Sequence, residues 1–310
     1  MKIFDQVKTR EALSFKRLVP ALREAFINPC QVPLRHVHRI GNGPNTITSL
    51  IMPAWVEGGF MGIKTVNIAP GNSRLGKPGL HSTYLLYDAP TGEPLALMDG
   101  DEITSRRTAA ASALAASFLA RENSARILIV GTGRVASLLA DAYAVVRPDC
   151  EILVWNRHES SATRLVQDLK GRGFQASVAP DLPEAVAAAD IITCATLATA
   201  PIVQGQWLRP GSHLDLIGSF APEMREADDQ AFKDARIYVD TQEALIKAGE
   251  LLEPMSRKVF KAEDIAGTLT DLCQGGSIGR QSQQERTVFK SVGTALEDLA
   301  AATLVYEHVQ

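Results

Sequence analysis

Two textures of apolar and polar residues divide the chain. In the first hundred positions, short runs rich in β-branched and aromatic residues fall at 35–40, 47–52, 60–67, 82–87 and 95–98, and each reads as a strand. The last two flank Asp88-Ala89-Pro90-Thr91-Gly92-Glu93, a turn-rich loop that predicts a hairpin. Residues 14–26 read as a short helix, and 104–120 as an alanine-rich helix suited to close packing. From Ser124 the rhythm changes. Apolar runs at 126–130 and 151–155, with weaker ones at 175–178, 190–194, 213–217 and 236–239, alternate with helical segments such as 162–170 and 182–188. That alternation predicts an α/β fold with a doubly wound parallel sheet. Residues 282–307 read as one more alanine- and leucine-rich helix, which returns to the first domain. The expected division is 1–120 plus 288–310 for the strand-rich α+β domain and 121–287 for the parallel-sheet domain.

Residues 126–157 carry the most specific signal. The run Ile127-Leu128-Ile129-Val130 leads into Gly131-Thr132-Gly133-Arg134-Val135-Ala136, and a second run, Ile152-Leu153-Val154-Trp155, ends in Asn156-Arg157. Gly131 lets the chain turn tightly out of the strand, Gly133 leaves room for a pyrophosphate, and Ala136 lets the helix pack on the sheet. The helix N-terminus, with Thr132, Arg134 and Val135 around it, offers N–H groups and a positive dipole end to phosphates. The glycine pattern alone is weak, and a plain glycine turn is its other reading; placed between two apolar runs it predicts dinucleotide binding. A site selective for NAD usually carries Asp or Glu at the end of the second strand. Asn156 and Arg157 stand there instead, so NADPH is expected as the preferred cofactor, with NADH also accepted. A solvated surface arginine is the other reading of Arg157. Thr196, at a predicted strand exit, is a candidate contact for the nicotinamide ribose, because ligands gather at the carboxyl ends of parallel strands.

Composition narrows the partners. The 310 residues suffice for two cores, and a net charge of −3 without a basic run argues against nucleic acid. No apolar stretch reaches membrane-spanning length. The opening Met1-Lys2-Ile3-Phe4-Asp5 lacks the apolar core of a signal peptide. Cys30, Cys150, Cys194 and Cys273 are scattered without a CxxC pair, and His36, His38, His81, His158 and His213 form no ligand pair. A reduced, cytoplasmic protein without bound metal is expected.

Three cations interrupt apolar surroundings. Lys64 lies in Gly62-Ile63-Lys64-Thr65-Val66, Arg107 in Ser105-Arg106-Arg107-Thr108-Ala109-Ala110 at the expected start of the alanine-rich helix, and Arg35 in Val32-Pro33-Leu34-Arg35-His36. A cation so placed is either a snorkelling surface residue or a partly buried charge that needs an anion. Taken singly, each reads as a surface residue. Arg107 fits that reading least, since the macrodipole disfavours a cation at a helix N-terminus and a bound carboxylate would relieve it.

The ordered set Met52-Pro53-Ala54-Trp55, Gly62-Ile63-Lys64-Thr65-Val66, Pro70-Gly71-Asn72, Arg107-Thr108-Ala109-Ala110, Gly131-Thr132-Gly133 and Gly211-Ser212-His213 resembles the ornithine cyclodeaminase/μ-crystallin family. The resemblance implies a homodimer with a Rossmann domain and a discontinuous substrate domain, bound NAD(P), and small α-imino or α-amino acids as substrates. By resemblance Lys64 and Arg107 match the positions that hold the substrate carboxylate, and Arg35 a further carboxylate-binding arginine. Ser291-Val292-Gly293-Thr294 resembles the nicotinamide-side segment, with Ser291 and Gly293 as contacts; helix packing is the other reading of Gly293. The cyclodeaminases carry an Asp shortly after the Gly-x-His segment, where this chain has Phe220. Phe cannot take a proton or pair with an ammonium. The runs Ile103-Thr104-Ser105-Arg106-Arg107-Thr108 and 214–226 instead resemble the branch that reduces 1-pyrroline-2-carboxylate. That implies hydride transfer to a cyclic ketimine carboxylate, with Lys64 and Arg107 clamping the carboxylate and Lys64, solvent or a held water supplying the proton. The five-membered ring is the expected substrate, and 1-piperideine-2-carboxylate a second. Cyclodeaminase or alanine dehydrogenase chemistry on the same fold, and a non-catalytic NADP-dependent binding protein, are the competing expectations.

Overall fold

The computed structural model describes residues 1–43 and 45–308. It divides into two compact units, Met1–Arg107 with Thr294–Gln310, and Thr108–Gly293. The chain therefore leaves the first unit inside the alanine-rich helix and returns at Thr294, rather than crossing at 120/121 and 287/288. Val309 and Gln310, the last residues of the expected 288–310 segment, lie outside the described residues.

The first unit opens with β1 (Lys2–Phe4), α1 (Gln6–Ala12) and α2 (Phe15–Ile27), followed by β2 (His36–Ile40), β3 (Ile47–Trp55), β4 (Phe60–Ile68), β5 (Leu80–Asp88) and β6 (Pro94–Asp99). The strands form one sheet in the order β1-β6-β5-β4-β3-β2, a meander from β2 to β6 with β1 added parallel to β6. α2 buries Phe15, Leu18, Val19, Leu22 and Phe26, the spacing of one helical face. The helix α3 (Gly100–Leu119) begins four residues earlier than its composition suggests. Asp99 caps it by accepting from the Glu102 N–H at 2.8 Å.

The second unit continues with β7 (Arg126–Val130), α4 (Ala136–Tyr143), β8 (Glu151–Trp155), α5 (Glu159–Gly171), β9 (Ala176–Val178), α6 (Leu182–Ala188), β10 (Ile191–Cys194), β11 (His213–Leu216), β12 (Ala235–Val239), α7 (Ala244–Lys247), α8 (Gly249–Ser256), β13 (Ile265–Thr268), α9 (Leu269–Gln274) and β14 (Arg286–Lys290). All eight strands are parallel, in the order β13-β12-β14-β11-β10-β7-β8-β9. The order reverses between β7 and β10, the kind of switch point outside which open α/β sheets bind their ligands. The chain ends its described course in α10 (Ala295–His308), which packs on α2, β3, β4 and β5 of the first unit.

The single helix expected over 282–307 is replaced by β14 and α10. Arg286-Thr287-Val288-Phe289-Lys290 is β-branched and aromatic, and it fills the slot between β11 and β12 with both faces covered. Helical composition on its C-terminal side concealed a short, fully buried strand. The strands β1 and β13 and the helices α1, α7, α8 and α9 are also present beyond the expected set.

The second half of α3 belongs to the parallel-sheet unit. Ala109, Ala110, Ala111, Ala113, Ala115 and Ala116 are fully buried there. Among them Ser112 reaches Asp215 on β11, whose Oδ2 also accepts from Tyr143 Oη at 3.0 Å and Thr193 Oγ1 at 2.7 Å. Asp215 is thus a fully buried acid held by three hydroxyls. Burial pushes its carboxyl above the ordinary range, against the pull of those three hydroxyls. Asp215→Ala should cost about 1–3 kcal/mol in urea denaturation, because three hydroxyl donors lose their acceptor. Relative to Asp215→Asn, the wild-type chain should be most stable at acid pH. That advantage should shrink as pH rises through the raised carboxyl pKa, since the folded state binds the proton more tightly.

Candidate active site

Strand alternation puts Lys64 on the buried face of β4, between Gly62 and Val66. Register aligns it with Met52 on β3 and Tyr84 on β5, and Tyr84 with Met98 on β6. Met52, Tyr84 and Met98 are all buried, so an ammonium occupies an apolar row. Lys64 is 1% exposed, which a snorkelling side chain cannot be. Its anion comes from α10, where Asp298 Oδ2 lies 2.6 Å from Nζ.

Arg107 on α3 is 5% exposed and converges on the same helix. Its Nε donates to Asp298 Oδ1 at 2.9 Å and its Nη1 to Glu297 Oε2 at 2.7 Å. Both surface readings are thus overturned. The dipole argument for Arg107 falls too, because α3 starts at Gly100 with Asp101 and Glu102 in its first turn, leaving Arg107 well inside. Glu297 and Asp298 sit in the first turn of α10, where the helix dipole favours negative charge. One carboxylate therefore joins a cation on a strand to a cation on a helix, with a second carboxylate balancing the pair.

Burial lowers the Lys64 ammonium to about 8, against the attraction of Asp298; Arg107 and Arg35 add their repulsion. Arg35 is half-buried just ahead of β2 and is the third cation in this field. Burial works against the Asp298 carboxylate, but Lys64 and Arg107 outweigh it and hold Asp298 below its usual range. Glu297 and Asp298 escaped the sequence reading. Their signal was present: two adjacent acids in the otherwise apolar Ala295-Leu296-Glu297-Asp298-Leu299-Ala300-Ala301 call for buried cations elsewhere.

The other candidates gather on the parallel-sheet unit. Gly131 closes β7 at φ +115°, and a Cβ there would meet the Ala195 carbonyl at 2.8 Å. A Cβ at Gly133 would meet no protein atom within 4 Å, and α4 begins without a side-chain cap at Val135. Thr132 is half-buried and Arg134 exposed. An open glycine before an uncapped helix start fits a pyrophosphate. Asn156 and exposed Arg157 follow β8, on the far side of β7 from the switch point. Thr196 follows β10, and its N–H and hydroxyl both donate to the buried Glu226, at 2.7 and 2.8 Å. Ser291 and Gly293 are held by Asp240, which accepts from Ser291 Oγ at 2.9 Å, Val292 N at 2.8 Å and Gly293 N at 2.6 Å. Glu226 and Asp240 were not singled out by sequence, since an acid that caps loop N–H groups leaves no spacing pattern. His213 is buried, bonded through Nδ1 to Thr287 Oγ1, and pushed down to about 3 by burial, with Arg280 and Arg147 adding to the effect. It is neutral at physiological pH and holds no exchangeable charge for catalysis.

Residues 2–310 match the model of the ornithine cyclodeaminase/mu-crystallin family. The chain belongs to that family. A Δ1-pyrroline-2-carboxylate reductase of Colwellia psychrerythraea is 38% identical over 315 residues, covering 99% of each chain. The structure of the Thermococcus litoralis Δ1-pyrroline-2-carboxylate reductase, in complex with NADH and L-proline, superimposes with a TM-score of 0.93. It is 32% identical, covering 99% of this chain and 97% of that one. An archaeal alanine dehydrogenase dimer with bound NAD reaches the same TM-score and 32% identity, over 100% of this chain and 96% of the other. The family's Rossmann-type parallel sheet is the second unit described above. No helix among the described residues is long and apolar enough to cross a membrane.

Asp298→Asn keeps the shape of the side chain but leaves two buried cations with one carboxylate. It should destabilise the protein by about 3–5 kcal/mol in urea denaturation. Adding Lys64→Met to it should recover part of that loss, because the stranded ammonium is then gone. A loss below about 1 kcal/mol would show that the network carries no structural weight.

Proposed function

We propose that the protein reduces 1-pyrroline-2-carboxylate to L-proline, with NADPH as preferred reductant and NADH also accepted. The observation that carries this reading is the pair of buried cations, Lys64 and Arg107, fixed on one carboxylate in a chain closely similar to pyrroline-2-carboxylate reductases. A rigid ammonium and guanidinium are pre-organised to grip a carboxylate, and so to orient the C=N carbon attached to it. Arg35 adds to the positive field that draws the acid in. When bound, the reduced nicotinamide supplies the hydride that the C=N carbon accepts. The ring nitrogen must gain a proton, and Lys64, brought near neutral pH by its burial, is the group best matched to hand one over. Gly131, Thr132, Gly133, Arg134 and Val135 would cradle the pyrophosphate, while Asn156 and Arg157 would take the adenosine ribose and its 2′-phosphate. Thr196, Ser291 and Gly293 would line the nicotinamide side.

Phe220 supports reduction over ring-forming deamination, since it offers neither charge nor proton where cyclodeaminases carry Asp. The six-membered 1-piperideine-2-carboxylate, with the same carboxylate beside C=N, is a second substrate on this reading. The protein acts as a homodimer: β2 lies at the open edge of its sheet, exposed along its whole length, with Val37 and Ile40 among its apolar side chains. A second copy would cover that edge. Four cysteines without a disulfide among the described residues suit the cytoplasm.

The decisive assay follows NADPH oxidation with 1-pyrroline-2-carboxylate, 1-piperideine-2-carboxylate, and pyruvate with ammonia. Oxidation with the cyclic imines alone supports the proposal; oxidation only with pyruvate and ammonia, ammonia release from ornithine, or no turnover would defeat it. Lys64→Ala should lower kcat/KM for the imine roughly 10–100-fold, the loss of one charge-assisted contact of about 1.5–3 kcal/mol. In the wild type, kcat/KM should decline as pH rises through about 8, where the Lys64 ammonium is lost. Over the same window the group's contribution to stability rises, since the unfolded chain binds that proton more tightly. Arg157→Ala should cut the preference for NADPH over NADH roughly tenfold, read as the ratio of the two Kd values.

A further inference from the structure

A second buried charge cluster lies in the parallel-sheet unit, and nothing in the reaction above uses it. Glu226 is 1% exposed, and its carboxylate sits between the exits of β10 and β11. Oε1 accepts from the N–H and hydroxyl of Thr196; Oε2 accepts from Gly218 N at 2.8 Å and Ser219 N at 3.2 Å. The approach is close enough that a Cβ on Gly218 would meet Thr196 backbone at 2.1 Å and Glu226 Oε1 at 2.4 Å. Behind this clamp, Glu250 on α8 accepts from Glu226 N at 2.8 Å, Ala227 N at 2.9 Å and Ser219 Oγ at 2.9 Å. Lys290 on β14 donates to the Leu216 carbonyl at 3.0 Å and to Ser219 Oγ at 2.7 Å.

We infer that Glu226 is a positioning residue for the cofactor: its ionised carboxylate ties the β10 and β11 exits together and sets the shape of the crevice at the switch point. Three observations support this. The clamp joins the two loops that follow the strands on one side of the sheet reversal. Each oxygen faces two donors, an arrangement that only a carboxylate satisfies fully. An amide in either orientation would turn its NH2 toward two donors. And the ammonium of Lys290 donates to Leu216 and Ser219, so it steadies the same β11 exit that the clamp holds.

The charged and titratable groups around Glu226 are Lys290 from β14, Glu250 from α8, and Cys194 at the end of β10. Asp215 on β11 reaches the cluster through its interaction with Lys290 and Cys194. Arg225, next in the chain, is turned away to Asp229 and Glu253. Burial raises the Glu226 carboxyl to about 7; Lys290 opposes that shift and Glu250 reinforces it. The clamp is therefore ionised above neutrality and protonated below it.

The inference rests on the proposed cofactor use, and its test reads binding rather than turnover. NADH is the probe, because it lacks the 2′-phosphate that would titrate in the same range. Titrated by its fluorescence between pH 5.5 and 8.5, NADH should bind the wild type at least fivefold more tightly at pH 8 than at pH 6. Glu226→Gln should bind roughly tenfold more weakly at pH 8 and show no dependence on pH, while Glu226→Asp retains the dependence. At saturating NADH the KM for the imine should stay unchanged in Glu226→Gln. Wild-type affinity that is flat across pH 7, or Glu226→Gln binding with the wild-type profile, would overturn the inference even if imine reduction stands. If Glu226→Gln does not fold, the wild-type and Glu226→Asp profiles decide. NADH binding with the expected profiles, but without imine turnover, would sink the proposed reaction and leave the clamp intact.

Discussion

The structure turns on a carboxylate that two cations share. Asp298 binds Lys64 through one oxygen and Arg107 through the other, in a place where each charge alone would be prohibitively costly. The arrangement constrains much of the first unit at once. It requires β4 to present an ammonium on its buried face, α3 to bring a guanidinium two turns into its length, and α10 to meet both with its first turn. Apolar replacements could pack as well and more stably. Charges kept at such expense point to chemistry, and rigid cations waiting beside a carboxylate are suited to holding another.

The parallel-sheet unit solves a similar problem with hydrogen bonds. Asp240 gathers the Ser291–Gly293 turn, and Glu226 gathers the turns after β10 and β11. In both cases a buried acid collects backbone N–H groups from loops at strand exits, the part of an α/β sheet where ligands bind. Loops are the least ordered segments of most domains. Here a buried acid ties each of them down through its N–H groups.

How much of this could be read from the chain follows from the range of each interaction. The βαβ unit is local: its glycines, runs and helix lie within some thirty residues, and Gly131 and Ala136 fell where pattern placed them. Strands β2 to β6 of the first unit were legible because their β-branched and aromatic runs are local too, whereas three-residue β1 was too short to show. β14 was hidden because its neighbours β11 and β12 come from elsewhere in the chain, and burial on both faces erased the alternation. Lys64 and Arg107 stood out as cations in apolar company, yet singly each looked like a surface residue. Their burial depends on Asp298, about 190 residues beyond Arg107, and no window of sequence contains both partners. Glu226 was illegible for a different reason: its partners are mostly backbone groups, which every residue possesses.

The split course of the first unit bears on how the protein is born. Its strands and two of its helices are synthesised early, but the acids that neutralise Lys64 and Arg107 are on α10, after the whole of the second unit. On the ribosome, the emerging meander cannot bury those cations without heavy penalty, whereas residues 108–293 hold their own hydrophobic core. The nascent chain is thereby biased to complete its middle first and to close its beginning last, with α10 as the keystone.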